Sequence, residues 1–208
     1  MQEKLRIIGL IGCILCLGSA VGADEAKAPR PLASAIEASQ RGDWDKAAQL
    51  AARDGVAALD LVEWMRLRQG LGTAAQVTEF LSQHRHWPGL DFLRKRSEPA
   101  FEDASDTEVL AFYVDGLVQT GDGVLRLARA LKAKGLQGDA EVNIVLAWRT
   151  FDLSEATHAA FLAEYGEILK PHHAARLDMA LWRGLSGDVA LMLPLVGRSR
   201  RAWAKTSR

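Results

Sequence analysis

The chain has 208 residues, and its 26 lysines and arginines balance its 26 aspartates and glutamates. A net charge of zero excludes the global basic field that recruits nucleic acid. Both cysteines, Cys13 and Cys16, sit in the N-terminal apolar run, which excludes a disulfide-built fold or thiol chemistry for the remainder of the chain.

Lys4 and Arg6, the apolar stretch from Ile7 to Val21 and the small-x-small site Val21-Gly22-Ala23 predict a secretory signal peptide over residues 1–23. The run is short and glycine-broken for a membrane span of about 20 residues. Leu10-Ile11-Gly12-Cys13 matches a lipoprotein cleavage box only loosely, because the apolar run continues past Cys13. The expected mature protein begins near Asp24, is periplasmic, and has neither a cysteine nor a membrane span. Residues 24–33, small, charged and proline-containing, read as a flexible leader.

From there to residue 197 the pattern is helical. Trp44, Ala47, Ala48, Ala51 and Ala52 form one apolar stripe after Asp43. Further helices are expected over 59–69, 74–83, 87–96, from a Thr107 cap onward, and over 122–134, 139–151, 155–165, 172–182 and 188–196. Four Gly-Asp pairs, Gly42-Asp43, Gly121-Asp122, Gly138-Asp139 and Gly187-Asp188, precede helical runs. Each is expected to end one helix with a left-handed glycine and cap the next with aspartate. The 139–151 helix, with Val142, Ile144, Val145, Leu146, Ala147 and Trp148, is apolar over most of its circumference and is expected to be buried on several sides. No segment alternates as a strand would. Short connections make successive helices antiparallel neighbours, so the predicted fold is all-α, an irregular superhelix (solenoid) of short antiparallel hairpins over 34–197.

Candidate chemistry is sparse. His84 and His86 lack a cysteine or carboxylate to complete a metal set and read as exposed loop residues, and His172-His173 point about 100° apart on a helix. No metal and no cofactor is expected. Asp43, Asp122, Asp139 and Asp188 read as caps, and Glu63, Glu79 and Glu108 as solvated helix faces. Neither a nucleophile elbow nor a phosphate loop nor a dinucleotide fingerprint occurs. Of six tryptophans, Trp44, Trp64, Trp148 and Trp182 fall on apolar faces and are expected in the core. Trp87, beside a loop, is the surface candidate. Residues 198–208 read as a basic, solvated tail whose Arg200 and Arg201, around Trp203, are the other candidates for glycan or surface contact.

Gly42-Asp43-Trp44, Leu61-Val62-Glu63-Trp64-Met65-Arg66-Leu67-Arg68, Trp87-Pro88-Gly89-Leu90 and Ala175 to Gly184 together resemble the N-terminal superhelical domain of soluble lytic murein transglycosylases. The similarity runs over roughly residues 34–204. It implies a role in peptidoglycan turnover and glycan strands as partner. The family's cleavage to 1,6-anhydro ends uses a glutamate in a Glu-Ser pair on a separate lysozyme-like domain. No glutamate of this chain is followed by serine, so no catalytic residue carries over. The resemblance therefore implies an exported scaffold or binding module, inactive alone, or a fragment of an active transglycosylase. A tetratricopeptide-like adaptor binding peptides is the third reading.

Overall fold

The computed structural model describes residues 30–114 and 117–206. The expected signal peptide, residues 24–29 of the expected leader, and Arg208 lie outside the described residues, and so does the Lys205 side chain. Twelve α-helices and no strand are found among the described residues, so the protein is all-α. They are α1 (Pro31–Gln40), α2 (Trp44–Ala51), α3 (Val56–Arg68), α4 (Ala74–Gln83), α5 (Leu90–Ser97), α6 (Asp106–Tyr113), α7 (Gly121–Ala133), α8 (Gln137–Thr150), α9 (Glu155–Leu169), α10 (His173–Trp182), α11 (Ser186–Met192) and α12 (Arg198–Thr206). No described helix is long and apolar enough to cross a membrane.

The punctuation between helices differs from the Gly-Asp reading. Only Gly42-Asp43 behaves as expected: Gly42 has φ +79°, and the Asp43 carboxylate accepts the Lys46 N–H at 3.3 Å. Gly121, Gly138 and Gly187 instead lie in the first turns of α7, α8 and α11. The left-handed glycines there are Gly135 (φ +78°) and Gly184 (φ +68°), each followed by leucine. Leu136 N–H reaches Leu131 O at 2.9 Å and Gly135 N–H reaches Lys132 O at 2.9 Å; Leu185 and Gly184 repeat this on Ala180 and Leu181. These paired bonds are Schellman closures, which satisfy the last carbonyls of a helix. The same closure ends α1 at Gly42 and α3 at Gly70. Thr120, not a Gly-Asp pair, caps α7 by accepting the Gly123 N–H. Ser105, not Thr107, caps α6 in a reciprocal box with Glu108.

Two apolar clusters form. The smaller is built almost wholly of alanine: Ala35, Ala38, Ala47, Ala51 and Ala58 with Val62, from α1, α2 and α3. The main core runs from Leu67 to Ala204 and contains Trp148, Phe101, Phe161 and Ile144. α3 belongs to both clusters, giving Val62 to one and Leu67 to the other.

Four expectations are corrected. α8 buries only Ala140, Ile144, Ala147 and Trp148; Val142 and Leu146, two residues on and so about 200° around the helix, are 66 % and 59 % exposed. Trp182 is 91 % exposed, because the inward face of α10 is set by Arg176, Leu177 and Ala180, which places it on the outer side. Helix α1 begins at Pro31, inside the expected leader, with proline at its first position. The expected tail is helix α12, docked through buried Ala204.

Arg176 ties three helices together. Its fully buried guanidinium donates to the carbonyls of Trp148 and Phe151 at the end of α8 and to both oxygens of Asp188 on α11, at 2.8–3.1 Å. It also lies over the Trp148 ring, 4.7 Å from its centroid. A cation at a helix C-terminus satisfies orphan carbonyls and opposes the helix dipole. Asp188 therefore holds a buried charge pair and does not act as a simple cap.

Candidate functional site

The surface residues expected from sequence are largely engaged within the fold. Trp87 is half-buried and packs edge-on against Trp64 (centroids 6.1 Å) and Phe80 (5.6 Å), with His84 at 4.9 Å. His84 is thus half-buried, 3.7 Å from Asp60, while His86 is exposed as expected. On α12, Arg200 pairs with Asp178 at 3.0 Å and lies over the Trp203 ring at 5.7 Å. Arg201 donates to the carbonyls of Leu193, Pro194 and Val196. Trp203 remains 48 % exposed. Both arginines thus use donors inside the protein, and Trp87 props up its neighbour Trp64.

That neighbour faces a groove. A concavity of about 710 Å³ opens between the α1–α2 turn, α3 and α5, lined by Trp44, Trp64, Arg68, Phe92 and Arg96 among others. Two aromatic–arginine pairs at i, i+4 build it: Trp64 with Arg68 on α3, and Phe92 with Arg96 on α5. The Arg68 guanidinium lies over both rings, 4.3 Å from the Trp64 centroid and 5.1 Å from that of Phe92. The Trp64 indole N–H donates to Pro88 O at 3.2 Å, which fixes its ring plane. Arg96 bridges the walls by donating to Gln69 O at 3.2 Å. Gly70 makes the approach possible, since a Cβ there would meet Arg96 O at 2.8 Å and its φ is +79°.

A second concavity, of about 420 Å³, holds the buried carboxyl of Glu98. Burial pushes this carboxyl above the ordinary value, against the pull of the Thr120 hydroxyl and the Gln119 N–H that donate to it. The Tyr113 hydroxyl nearby has no hydrogen-bond partner among the described residues, and burial raises its pKa as well. Gly123 admits both groups, since a Cβ would collide with Glu98 Oε2 and stand 2.7 Å from the Tyr113 hydroxyl. The carboxyl is thus committed to pinning the segment ahead of α7. A third, open groove of about 830 Å³ lies along α8 and α9 beside Val142, Val145, Leu146 and Ile168. No group of three or more histidine, cysteine, aspartate or glutamate side chains that could hold a metal ion forms among the described residues.

Comparison with known proteins finds no matching family model, no matching curated protein and no matching solved structure. Sequence reasoning placed Trp44 and Trp64 in the core and passed over Arg68 and Phe92. The Trp64–Arg68 spacing was a readable signal. The meeting of α3 with α5, which brings the Phe92 ring to within 5.1 Å of the Arg68 guanidinium, was not.

Proposed function

We propose that the chain is an exported helical module that binds the glycan strands of the cell wall and acts in peptidoglycan turnover, without cleaving them itself. The observation that carries this reading is the groove of Trp44, Trp64 and Phe92. The C–H faces of a pyranose are apolar and weakly positive, and they complement the aromatic faces that the Arg68 guanidinium leaves uncovered. The resemblance to the superhelical domain of lytic transglycosylases supports the same assignment, with the periplasm as location. The helical pairs, closed by repeated left-handed glycines, support an irregular solenoid, and the bare apolar side of α8 is a face on which such a stack can continue.

The test is incubation of the purified protein with peptidoglycan sacculi, followed by sedimentation and chromatography of soluble products. Retention on sacculi is expected, with loss in Trp64→Ala and persistence of a large part at high salt, because stacking is not screened. No anhydro-sugar product is expected, since cleavage needs a carboxyl poised at the glycosidic oxygen. Failure to sediment with sacculi overturns the binding role. Turnover abolished by Glu98→Gln would move an active site into this chain.

A further inference from the structure

We propose that His158, His173 and Met192 form a binding site for a soft monovalent metal ion, copper(I) or silver(I), buried beside Trp148.

The donor atoms come from three helices. α9 contributes His158, α10 contributes His173 at its first position, and α11 ends on Met192. All three side chains are buried, and both imidazoles pack on the Trp148 indole, with centroids at 4.8 and 5.7 Å. His158 Nε2 lies 3.3 Å from the Met192 sulfur. A thioether is only a weak acceptor, so an N–H placed there makes a poor hydrogen bond. The distance suits two ligands of one ion. Bonds of about 2.0 Å to nitrogen and about 2.3 Å to sulfur span it at an angle of about 100°.

His173 is oriented as metal-binding imidazoles are. Its Nδ1 lies 3.2 Å from Leu195 O, a carbonyl that can only accept, so Nδ1 carries the proton. In the neutral ring Nε2 then holds a bare lone pair. That nitrogen is fully buried and has no hydrogen-bond partner among the described residues. Ligating histidines regularly donate their second ring N–H to a backbone carbonyl, which fixes ring and tautomer. One short stretch, Met192 to Leu195, supplies both the sulfur and that carbonyl.

The cluster also selects among metals. Asp188, the carboxylate beside it, has both oxygens on Arg176, so it offers no free hard ligand for magnesium or calcium. Imidazole nitrogens joined by a thioether favour soft ions. The Arg176 guanidinium lies over the same indole, and beside it a single positive charge is less opposed than the double charge of zinc. The three residues are spread from 158 to 192, so no local spacing announces them.

Silver(I), which air does not oxidise, is the first probe. It is added to the full chain with Cys13 and Cys16 replaced by serine, so that no thiol competes. The methionine methyls are labelled with carbon-13 and followed by NMR. One equivalent of silver(I) is expected to shift the Met192 methyl and to leave those of Met65 and Met179 in place. Copper(I) kept reduced with ascorbate should reproduce the shift, and zinc(II) should not. Met192→Leu, which nearly conserves volume, and His158→Gln should each weaken silver binding by about a hundredfold or more, and His173→Gln by about tenfold or more. His86→Gln, at an exposed position, should leave binding unchanged. An unmoved Met192 methyl in the unaltered protein overturns the proposal, whatever the variants do. Silver binding at full strength in Met192→Leu also overturns it, because the ion would then sit elsewhere. An equal response to zinc(II) overturns the assignment to soft monovalent ions.

Discussion

Trp148 and its ring of neighbours set the chemistry of the main core at the level of single side chains. Its indole is fully buried, with His158 at 4.8 Å, His173 at 5.7 Å, Phe161 at 6.2 Å and Arg176 over its face. Trp148→Ala should destabilise the protein by about 3–5 kcal/mol in chemical denaturation, because so enclosed a cavity cannot collapse. A change below about 1 kcal/mol would place α8 at the periphery. His158 shares this site, with its Nε2 3.3 Å from the Met192 sulfur. Burial first, and then the Arg176 charge, lower its pKa from 6.5 to about 4. Folding therefore favours the neutral ring. The stabilisation is complete above pH 6.5, declines as pH falls from 6.5 towards 4, and does not change further below that. The decline amounts to about 3 kcal/mol at most. Stability of the protein relative to His158→Gln, followed between pH 7.5 and 4, should fall over that interval. A flat difference would mean that the ring is charged or solvated in the folded state.

Among helices, the decisive junction is α8 with α10 and α11, joined by Arg176 and Asp188. Removing one member of a buried ion pair strands the other charge, so Asp188→Asn should cost about 3–5 kcal/mol. Replacing both, as Arg176→Met with Asp188→Leu, should recover a large part of that loss. Thermal or urea denaturation of the two variants checks the order, and a double variant worse than the single one would refute it. This junction also marks how far helices were legible beforehand. Periodicity located α4 to the residue and α7 and α8 within one or two, because an apolar stripe is a local property. Caps were harder to read. Gly121, Gly138 and Gly187 attract notice beside their aspartates, yet the left-handed turns fall at glycines ahead of leucine, where the closing bonds reach back five residues into the preceding helix. Asp188 looked like a cap because its partner, twelve positions away, is invisible to local pattern. Trp182 was misplaced because several apolar residues on α10 competed for one inward face.

For the molecule as a whole, the two apolar clusters imply uneven stability. Alanine contacts bury little apolar area per residue, so the α1–α2 pair is held far more weakly than the helices around Trp148. Native-state hydrogen exchange should show α1 and α2 opening at lower free energy than α7, α8 and α10, as a separate unit. Uniform protection across the chain would show instead that the clusters act as one. The groove lay outside sequence reasoning for the same long-range reason: three segments build it, and no one of them encodes it.

The groove also straddles the seam between those clusters, since Ser39, Gln40 and Trp44 belong to the weaker pair while Phe92 and Arg96 sit on α5. An occupant touching both sides acts as a clasp. If only the closed form binds, ligand at a hundred times its dissociation constant stabilises closure by about 2.7 kcal/mol. Occupancy is then transmitted as a change in lifetime: amides of α1 and α2 exchange about a hundredfold more slowly at that concentration, while those around Trp148 keep their rates. The most loosely packed helices of the protein thereby become the reporter of whether its groove is filled.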